Sequence, residues 1–257
     1  VDPSGAARPA ATDDRPARTE DEPLLLSVII PTYNEAGNIV LMLDRLRTAL
    51  AGQAYEIVVV DDDSIDETWR IAQLHGRSDQ RIRVIRRVGE RGLSSAVMAG
   101  MAQAGGRALV VMDADLQHDE TKILHLVRAV VDEGMDLCVG SRHVAGGGYG
   151  TFGRRRRAAS WAGGALARTL LGVAVSDPMS GFFAVSRRRF ELVGDQVNPR
   201  GFKILLEFLA RGPEPSVSEI GYQFGERVHG TTKLNGSVVL DYLRALLVLT
   251  AGRWRRR

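Results

Sequence analysis

Acidic and polar side chains follow three apolar segments of the chain, each at the point where the apolar segment ends. These groups are Pro-Thr-Tyr-Asn-Glu (31–35), Asp-Asp-Asp-Ser (61–64) and Asp-Ala-Asp-Leu-Gln-His (113–118). A single carboxylate at such a point is often only a turn former or a helix cap. Several aspartates that converge repel each other unless a cation lies between them. Because Asp-x-Asp spacing lets two carboxylates reach one hard cation, the pattern predicts a divalent ion that bridges phosphate groups.

The apolar runs before these groups belong to a regular alternation of strands and helices. Continuous apolar runs indicate buried parallel strands, and segments with apolar residues at helical spacing lie between them. The predicted strands are 24–30, 57–60, 82–85, 108–112 and 135–139, and the predicted helices are 38–50, 66–74, 93–104 and 121–131. This repetition predicts an α/β fold with a doubly wound, mostly parallel sheet and helices on both faces. In such sheets ligands bind at the carboxyl ends of strands, where the three acidic groups fall.

The second half of the chain has a different pattern. Three glycines at 146–148 mark a loop, and a basic helix is predicted from about residue 154 to residue 171. Further strands are predicted at 182–185 and 217–224, with a helix at 204–209 between them. We expect this half to form the other side of a shared cleft.

The ordered motifs resemble those of family 2 inverting glycosyltransferases of the A-type fold, and among these the dolichol-phosphate mannose synthases. The first group of motifs is 31–35, 61–66 and 113–115. The motifs that narrow the resemblance are Gly-Ser-Arg (140–142), Asp-Pro-Met-Ser-Gly-Phe-Phe (177–183), Gly-Phe-Lys-Ile-Leu-Leu-Glu (201–207), and Glu-Arg (226–227) through Lys-Leu (233–234). The Asp-Ala-Asp motif alone is unspecific, but the ordered set is specific and covers roughly residues 27–249. It implies transfer of mannose from GDP-mannose to a polyprenyl phosphate, with inversion.

The resemblance also implies a donor site in the first half of the chain. The residues expected around the base and ribose are Pro31, Tyr33, Glu35, Val60 and Asp62. Those expected around the diphosphate are Asp113, Ala114 and Asp115, and the expected ligands of a Mg²⁺ or Mn²⁺ ion are Asp113, Asp115 and Gln117. These ligands all offer oxygen, which suits either ion. His118 is expected to be a loop or capping residue. Asp63 departs from the family, where Gly or Asn is common, and adds a charge near the nucleotide; Asp119 and Glu120 stand where a proline is common.

An anionic acceptor requires cations on the other side of the cleft. The cations expected there are Arg142, Arg156, Lys203, Arg227 and Lys233. The resemblance implies that Arg142, Arg156 and Ser160 face the lipid phosphate, where the planar fork of arginine suits a phosphate. For Arg156, which lies in a run of four arginines, a solvated helix face is the alternative. An alkyl phosphate has a second pKa near ~6 and is already a dianionic nucleophile at neutral pH, so no catalytic base is expected.

We predict a catalytic domain at 24–236, with a nucleotide-sugar half (24–140) and an acceptor half (141–236). Residues 1–23 are expected to be a disordered leader, since they lack an apolar core segment. Residues 237–257 are expected to form an amphipathic interfacial helix with a basic tail, because a leucine-rich face precedes Trp254 and four arginines. An ordinary packed helix is the alternative. These features predict peripheral association with the cytoplasmic face of a membrane.

Composition and motifs make three other classes of function less favoured than a mannosyltransferase: nucleic-acid binding, sugar transfer from a UDP donor, and non-catalytic nucleotide binding. The chain has 257 residues, a net charge of +3 and one cysteine, Cys138, which we expect in the core of a protein from a reducing compartment. The arginine runs lack interleaved aromatic residues, so no nucleic-acid partner is expected. Transfer of glucose or another sugar from a UDP donor to undecaprenyl phosphate is the enzymatic alternative, although such enzymes usually carry membrane-spanning helices. A non-catalytic nucleotide-binding module that recruits a membrane partner would be expected to lack one of the metal-site residues.

Overall fold

The computed structural model describes residues 23–150, 154–199, 203–226, 246, 247, 249 and 250. The side chains of residues 154–156 and 158–160 are outside this description. The predicted leader up to residue 22 and most of the predicted C-terminal segment therefore lie outside the described residues. The same holds for Arg227 and Lys233, and for the side chains of Arg156 and Ser160.

The described strands form a single mixed sheet. Their bounds are β1 Leu26–Thr32, β2 Tyr55–Asp61, β3 Ile82–Arg86, β4 Ala108–Val111, β5 Leu137–Ser141, β6 Phe183–Ser186 and β7 Val217–Gly221. Their order in the sheet is β3-β2-β1-β4-β6-β5-β7. Strands β1 to β4 pair in parallel, and β7 is parallel to β5. Strand β6 is antiparallel to both β4 and β5. The predicted mostly parallel, doubly wound α/β fold is confirmed.

The helices connect these strands and cover both faces of the sheet. Their bounds are α1 Ile39–Ala49, α2 Thr68–Gly76, α3 Leu93–Gln103, α4 Ile123–Val131, α5 Arg154–Leu171, α6 Arg187–Val193 and α7 Ile204–Ala210. Two short 3-10 helices lie at Glu120–Lys122 and Gly194–Gln196. Within the described residues, no helix is both long enough and apolar enough to cross a membrane.

The core lies on both faces of the central strands. In β1, Leu26, Val28 and Ile30 point into the cluster that includes α1 and α4, whereas Ile29 points into the opposite cluster with α3 and α7. This alternation is the period of a strand, and burial on both faces explains why β1 is an unbroken apolar run. Cys138 is fully buried and free, as expected.

The path of the chain creates a crevice beside β1. Strands β2 and β3 lie on one side of β1 and β4 lies on the other, so the order of the strands reverses when the chain passes from β3 to β4. In open α/β sheets this reversal opens a crevice at the carboxyl ends of the strands, where ligands bind. Helix α3 packs closely against β1 and β2 because Gly100 has no side chain. A Cβ added at Gly100 would lie only 2.7 Å from Ile29 and 2.8 Å from Val60.

Candidate active site

A cleft of about 440 Å³ opens at this crevice. It brings together most of the predicted donor-site residues, namely Pro31, Tyr33, Glu35, Asp62, Asp113, Ala114 and Asp115. The other lining residues are Thr32, Arg91, Gly92, Leu93 and Ala96. Val60, also predicted near the base, is fully buried in the core and does not line the cleft.

The first two acidic motifs are held together by Asp61. Its carboxylate accepts hydrogen bonds from Thr32 Oγ1 at 2.7 Å and from the Ser64 hydroxyl at 2.7 Å. The backbone N–H of Ser64 also donates to it, at 2.8 Å. Asp61 is fully buried, so these bonds compensate for its lost hydration. Asp61 thus fixes the end of β1 against the turn that follows β2.

Asp62 lines the cleft, but its carboxylate is bound within the protein. Oδ1 accepts from the guanidinium of Arg87, with Nε at 2.7 Å, and Oδ2 accepts from the backbone N–H of Gly92 at 2.8 Å. Arg87 is only 6% exposed, and it also pairs with Glu90. Asp62 therefore anchors the segment between β3 and α3 to the wall of the cleft.

The extra charge of Asp63 is neutralised by a neighbour. Its carboxylate accepts from Arg86 Nε at 2.6 Å, and the Arg86 guanidinium lies 3.9 Å from the ring centroid of Trp69. Neither Asp63 nor Arg86 lines the cleft. Asp63 therefore forms a surface ion pair with Arg86, outside the lining of the cleft.

His118 is buried next to the third acidic motif and contacts Asp113. It is 4% exposed and stacks on Phe182, with ring centroids 5.3 Å apart. The backbone N–H of Asp113 donates to Nδ1 of His118 at 3.3 Å, and Nε2 lies 4.0 Å from Oδ2 of Asp113. Burial lowers the pKa of His118 to about 4, so the ring is neutral at pH 7. It is the expected loop residue, and it also positions Asp113.

Gln117 is oriented by its contact with Gly225. The side-chain Nε2 donates to the Gly225 carbonyl at 3.0 Å, and the Gly225 N–H donates to the Gln117 carbonyl at 2.7 Å. The first bond assigns the NH₂ end of the amide, so Oε1 is the atom that remains as an acceptor. Gln117 is buried beside Asp115, whose Oδ1 accepts from the Gln117 N–H at 3.2 Å.

Arg142 is held by a bidentate ion pair. Its Nε and Nη2 donate to the two carboxylate oxygens of Asp177 at 2.7 and 2.8 Å. Burial opposes ionisation of Asp177, but the hydrogen bonds and charge of Arg142 outweigh it and hold the pKa of Asp177 below its usual range. The guanidinium also lies 5.4 Å from the ring of Tyr149. Arg142 is thus a fixed cation at the end of β5, and part of its fork is already committed to Asp177.

The segment from residue 177 to residue 182 joins Arg142 to the third acidic motif. Lys203 Nζ donates to the Met179 carbonyl at 3.3 Å. Burial, opposed by the charge of Asp113, lowers the pKa of Lys203 to about 8. At Gly181 an added Cβ would lie 2.6 Å from Oδ2 of Asp113. Close packing at Gly181 therefore sets the position of the Asp113 carboxylate.

Glu219 on β7 fixes the start of that segment. Its carboxylate accepts from the Ser176 N–H at 2.8 Å, from the Ser176 hydroxyl at 2.6 Å and from the Asp177 N–H at 3.3 Å. A chain of contacts therefore runs from Glu219 through Asp177 to Arg142.

A model of the family described as "Glycosyl transferase family 2" matches residues 27–194, more than half of the chain. The chain belongs to glycosyl transferase family 2. The predicted family is therefore confirmed, and the fold and cleft described above are those of a glycosyltransferase.

Curated relatives match most of this glycosyltransferase. Dolichol-phosphate mannosyltransferase of Pyrococcus furiosus is 45% identical over 221 residues, which are 85% of this chain and 62% of that protein. The chain therefore spans less than two thirds of that relative. Dolichol-phosphate mannosyltransferase of Saccharomyces cerevisiae is 36% identical over 230 residues, 86% of this chain and 85% of that protein.

The solved structures support the same fold. Glucosyl-3-phosphoglycerate synthase from Mycobacterium tuberculosis, in complex with Mn²⁺, UDP and phosphoglyceric acid, has a TM-score of 0.66 and 22% identity. The match covers 88% of this chain and 78% of that chain. The likeness supports the architecture of this glycosyltransferase.

Several residues of the glycosyltransferase site were not predicted from sequence. Arg87 and Arg91 lie in a segment without a recognisable motif. Glu219 lies in a strand whose sequence, Val-Ser-Glu-Ile-Gly, contains no motif that marks it as functional. Asp177 and Gly181 belong to the motif at 177–183, from which the sequence predicts no role for either residue. Among them, only these two carried a signal in the sequence.

Proposed function

We propose that this glycosyltransferase transfers mannose from GDP-mannose to a polyprenyl phosphate, with inversion at the anomeric carbon. The observation that carries the proposal is the cleft, in which Glu35 and Asp62 follow β1 and β2 while Asp113 and Asp115 follow β4. A nucleoside diphosphate sugar in this cleft would have its base and ribose near Glu35 and its diphosphate near Asp113 and Asp115. The names of the P. furiosus and S. cerevisiae relatives support the sugar and the lipid acceptor.

In this proposal Glu35 binds the ribose of the donor. A ribose diol offers two hydroxyl donors, which a carboxylate can accept. Asp62 is less suited to this role because its two oxygens accept from the buried Arg87 and from the Gly92 N–H; Glu35 also accepts a hydrogen bond, from Asn38 Nδ2 at 2.7 Å. Asp62 instead keeps the wall of the cleft in place.

Asp113, Asp115 and Gln117 fit a Mg²⁺ or Mn²⁺ ion by their chemistry. All three offer oxygen, and Asp113 and Asp115 face the cleft. In the described part of the chain, no group of three His, Cys, Asp or Glu side chains forms a metal cage by itself. An ion such as Mg²⁺ is usually held by one or two carboxylates together with substrate phosphates, and Asp113 and Asp115 suit that arrangement. When bound, the ion neutralises charge on the leaving diphosphate.

The acceptor needs alignment rather than activation. Its phosphate is already a dianion at neutral pH, so no side chain has to remove a proton. We infer that Arg142 and Lys203 hold it opposite the diphosphate of the donor. A phosphate oxygen then forms a bond to the anomeric carbon while the bond from that carbon to the diphosphate breaks, and GDP leaves. Because Asp177 fixes Arg142, the cation does not have to reorganise during this step.

We also propose that the enzyme works at the cytoplasmic face of a membrane. The support comes from sequence, where a leucine-rich segment at 238–249 is followed by Trp254 and four arginines. Such a segment suits the interface between lipid headgroups and water.

The configuration of the product tests the mechanism. GDP-α-mannose should yield a β-linked mannosyl phosphate, which one-bond carbon–hydrogen coupling in NMR identifies. An α-linked product, or free mannose from hydrolysis, would contradict direct displacement by the lipid phosphate.

A further inference from the structure

Arg91 brings a positive charge to the wall of the donor cleft. Its guanidinium carbon lies 4.2 Å from the ring centroid of Tyr33, and both residues line the cleft. The acidic lining residues are Glu35, Asp62, Asp113 and Asp115. Among the lining residues that the structure describes, Arg91 is the one cation.

The backbone on both sides of Arg91 is anchored at the end of β2. Arg87 donates to Asp62 Oδ1 and the N–H of Gly92 donates to Asp62 Oδ2. Since β2 and β4 lie on opposite sides of β1, and neighbouring strands are about 4.8 Å apart, their ends are roughly 10 Å apart. The anchor of Arg91 is therefore at the base end of the cleft, away from the acidic pair after β4.

The charge of Arg91 is available to a ligand. Asp62 and Glu90 pair with Arg87 instead, and within the described chain no ion pair involves Arg91. A guanidinium that lies on an aromatic face keeps its N–H groups in its own plane, so the stacking with Tyr33 leaves the fork able to donate at its edge.

We propose that Arg91 reads the base of the donor nucleotide by donating two hydrogen bonds to O6 and N7 of guanine. The inference rests on the proposed function, in which the donor is a guanosine diphosphate sugar. Guanine presents O6 and N7 as an adjacent pair of acceptors that matches the fork of arginine. Uracil has no such pair, because N3–H separates its two carbonyl oxygens. Arg91 is then a specificity residue for guanine over uracil, and Asp62 and Arg87 are positioning residues.

Nucleotide binding to the full chain measures this role without turnover. Titration calorimetry with GDP, UDP and 7-deaza-GDP, each with Mn²⁺, should show the wild type binding GDP at least about ten-fold more tightly than the other two, as expected for one bidentate pair. Arg91→Lys keeps the charge but loses the fork. It should lose most of the preference for GDP over both UDP and 7-deaza-GDP.

Arg86→Lys is the matched control, because Arg86 also stacks on an aromatic ring but does not line the cleft. This variant should keep the wild-type preference. If Arg91→Lys weakens GDP and UDP equally, Arg91 contacts the shared ribose diphosphate and the inference is wrong. If the wild type prefers GDP and Arg91→Lys changes nothing, the role of Arg91 alone is excluded. A wild-type preference for UDP would instead contradict the donor in the proposed function.

Discussion

The three carboxylates at the end of β2 have different roles, although they are consecutive in the sequence. Asp61 is fully buried and binds Thr32 and Ser64. Asp62 binds Arg87 and the Gly92 N–H at the wall of the cleft, and Asp63 binds Arg86 at the surface. The acidic residues that line the cleft after β1 and β4 are Glu35, Asp113 and Asp115.

Asp115→Asn should abolish most of the metal-dependent turnover. The amide keeps the shape of the side chain but removes a charge that the cation needs. Turnover should fall by at least ~100-fold if the ion stabilises the leaving diphosphate by the ~3 kcal/mol typical of one electrostatic contact. Steady-state rates at graded Mn²⁺ concentrations check this. Full activity of the wild type in EDTA would contradict it.

Arg142→Ala should weaken use of the lipid acceptor while leaving donor binding nearly intact. It should also lower the melting temperature, because Asp177, whose side chain is 2% exposed, is left as an unpaired buried charge. Arg142→Lys should restore only part of the acceptor affinity, since the bidentate geometry is lost. The measurements are acceptor KM and GDP affinity, with Arg188→Ala, which breaks a pair whose arginine is 71% exposed, as the control. Equal losses of donor and acceptor binding would place Arg142 on the wrong side of the cleft.

Two connecting segments hold side chains that line the cleft. The segment between β3 and α3 is tied to Asp62, and the segment at 177–182 joins Arg142 to Asp113. Each segment is fixed by ion pairs and close packing to residues that follow other strands. Small changes in these segments should therefore alter the site without unfolding the domain.

Gly181→Ala tests this for the second segment. An added Cβ would lie 2.6 Å from Oδ2 of Asp113, so the carboxylate has to move away from its position in the cleft. Turnover should fall about ten-fold or more, since misplacement of about 1 Å costs up to 10²-fold. Gly164→Ala is the control, because its Cβ would meet atoms no closer than 3.6 Å. The measurement is the turnover rate at saturating Mn²⁺, with circular dichroism to check folding. An unchanged rate for Gly181→Ala would show that its packing does not position Asp113.

The elements that the sequence predicts well are those whose burial leaves a local pattern. Strands β1, β2 and β4 are buried on both faces and read as apolar runs. Helix α6 was not predicted, because one of its two buried side chains is Arg189, which is 1% exposed. Its guanidinium donates to the carbonyls of Phe208, Arg211 and Pro213. A charged residue in the core disguises the amphipathic period on which helix prediction depends.

The motifs predict which residues line the cleft, but they do not predict which of these residues form ion pairs with which partners. Arg87 is 25 residues from Asp62, and Asp177 is 35 residues from Arg142. Ion pairs at this separation depend on the register and order of the strands, which local patterns do not specify. For the same reason the sequence does not predict that β6 runs antiparallel to β4 and β5.

At the scale of the whole molecule, the residues that line the cleft all come from the first half of the chain, whereas the cations proposed for the acceptor come from the second half. In the proposed function the first half contributes the acidic strand ends to the donor site, and the second half contributes Arg142 and Lys203 to the acceptor site. This division suits a reaction in which a metal-bound diphosphate leaves while an anionic phosphate arrives.

Removal of Arg253, Trp254 and the three terminal arginines should weaken binding to anionic vesicles. Each basic residue near an anionic surface contributes ~1 kcal/mol, and binding should fall as salt rises because exposed charges are screened over ~8 Å at physiological ionic strength. Turnover of a short, detergent-soluble acceptor should be largely unchanged. Replacement of the four arginines by lysine is the charge-preserving control. Co-sedimentation that the deletion leaves untouched would show that this tail is not the anchor.

Transfer of label into lipid tests the central claim most directly. The full chain is incubated with Mn²⁺, a short polyprenyl phosphate and either radiolabelled GDP-mannose or radiolabelled UDP-glucose, and the lipid is extracted into organic solvent. Label from GDP-mannose should enter the organic phase, should depend on both the polyprenyl phosphate and the metal, and should be nearly absent with Asp115→Asn. Label from UDP-glucose in the lipid, with none from GDP-mannose, would contradict the proposed donor, and no lipid label from either would contradict the proposed acceptor.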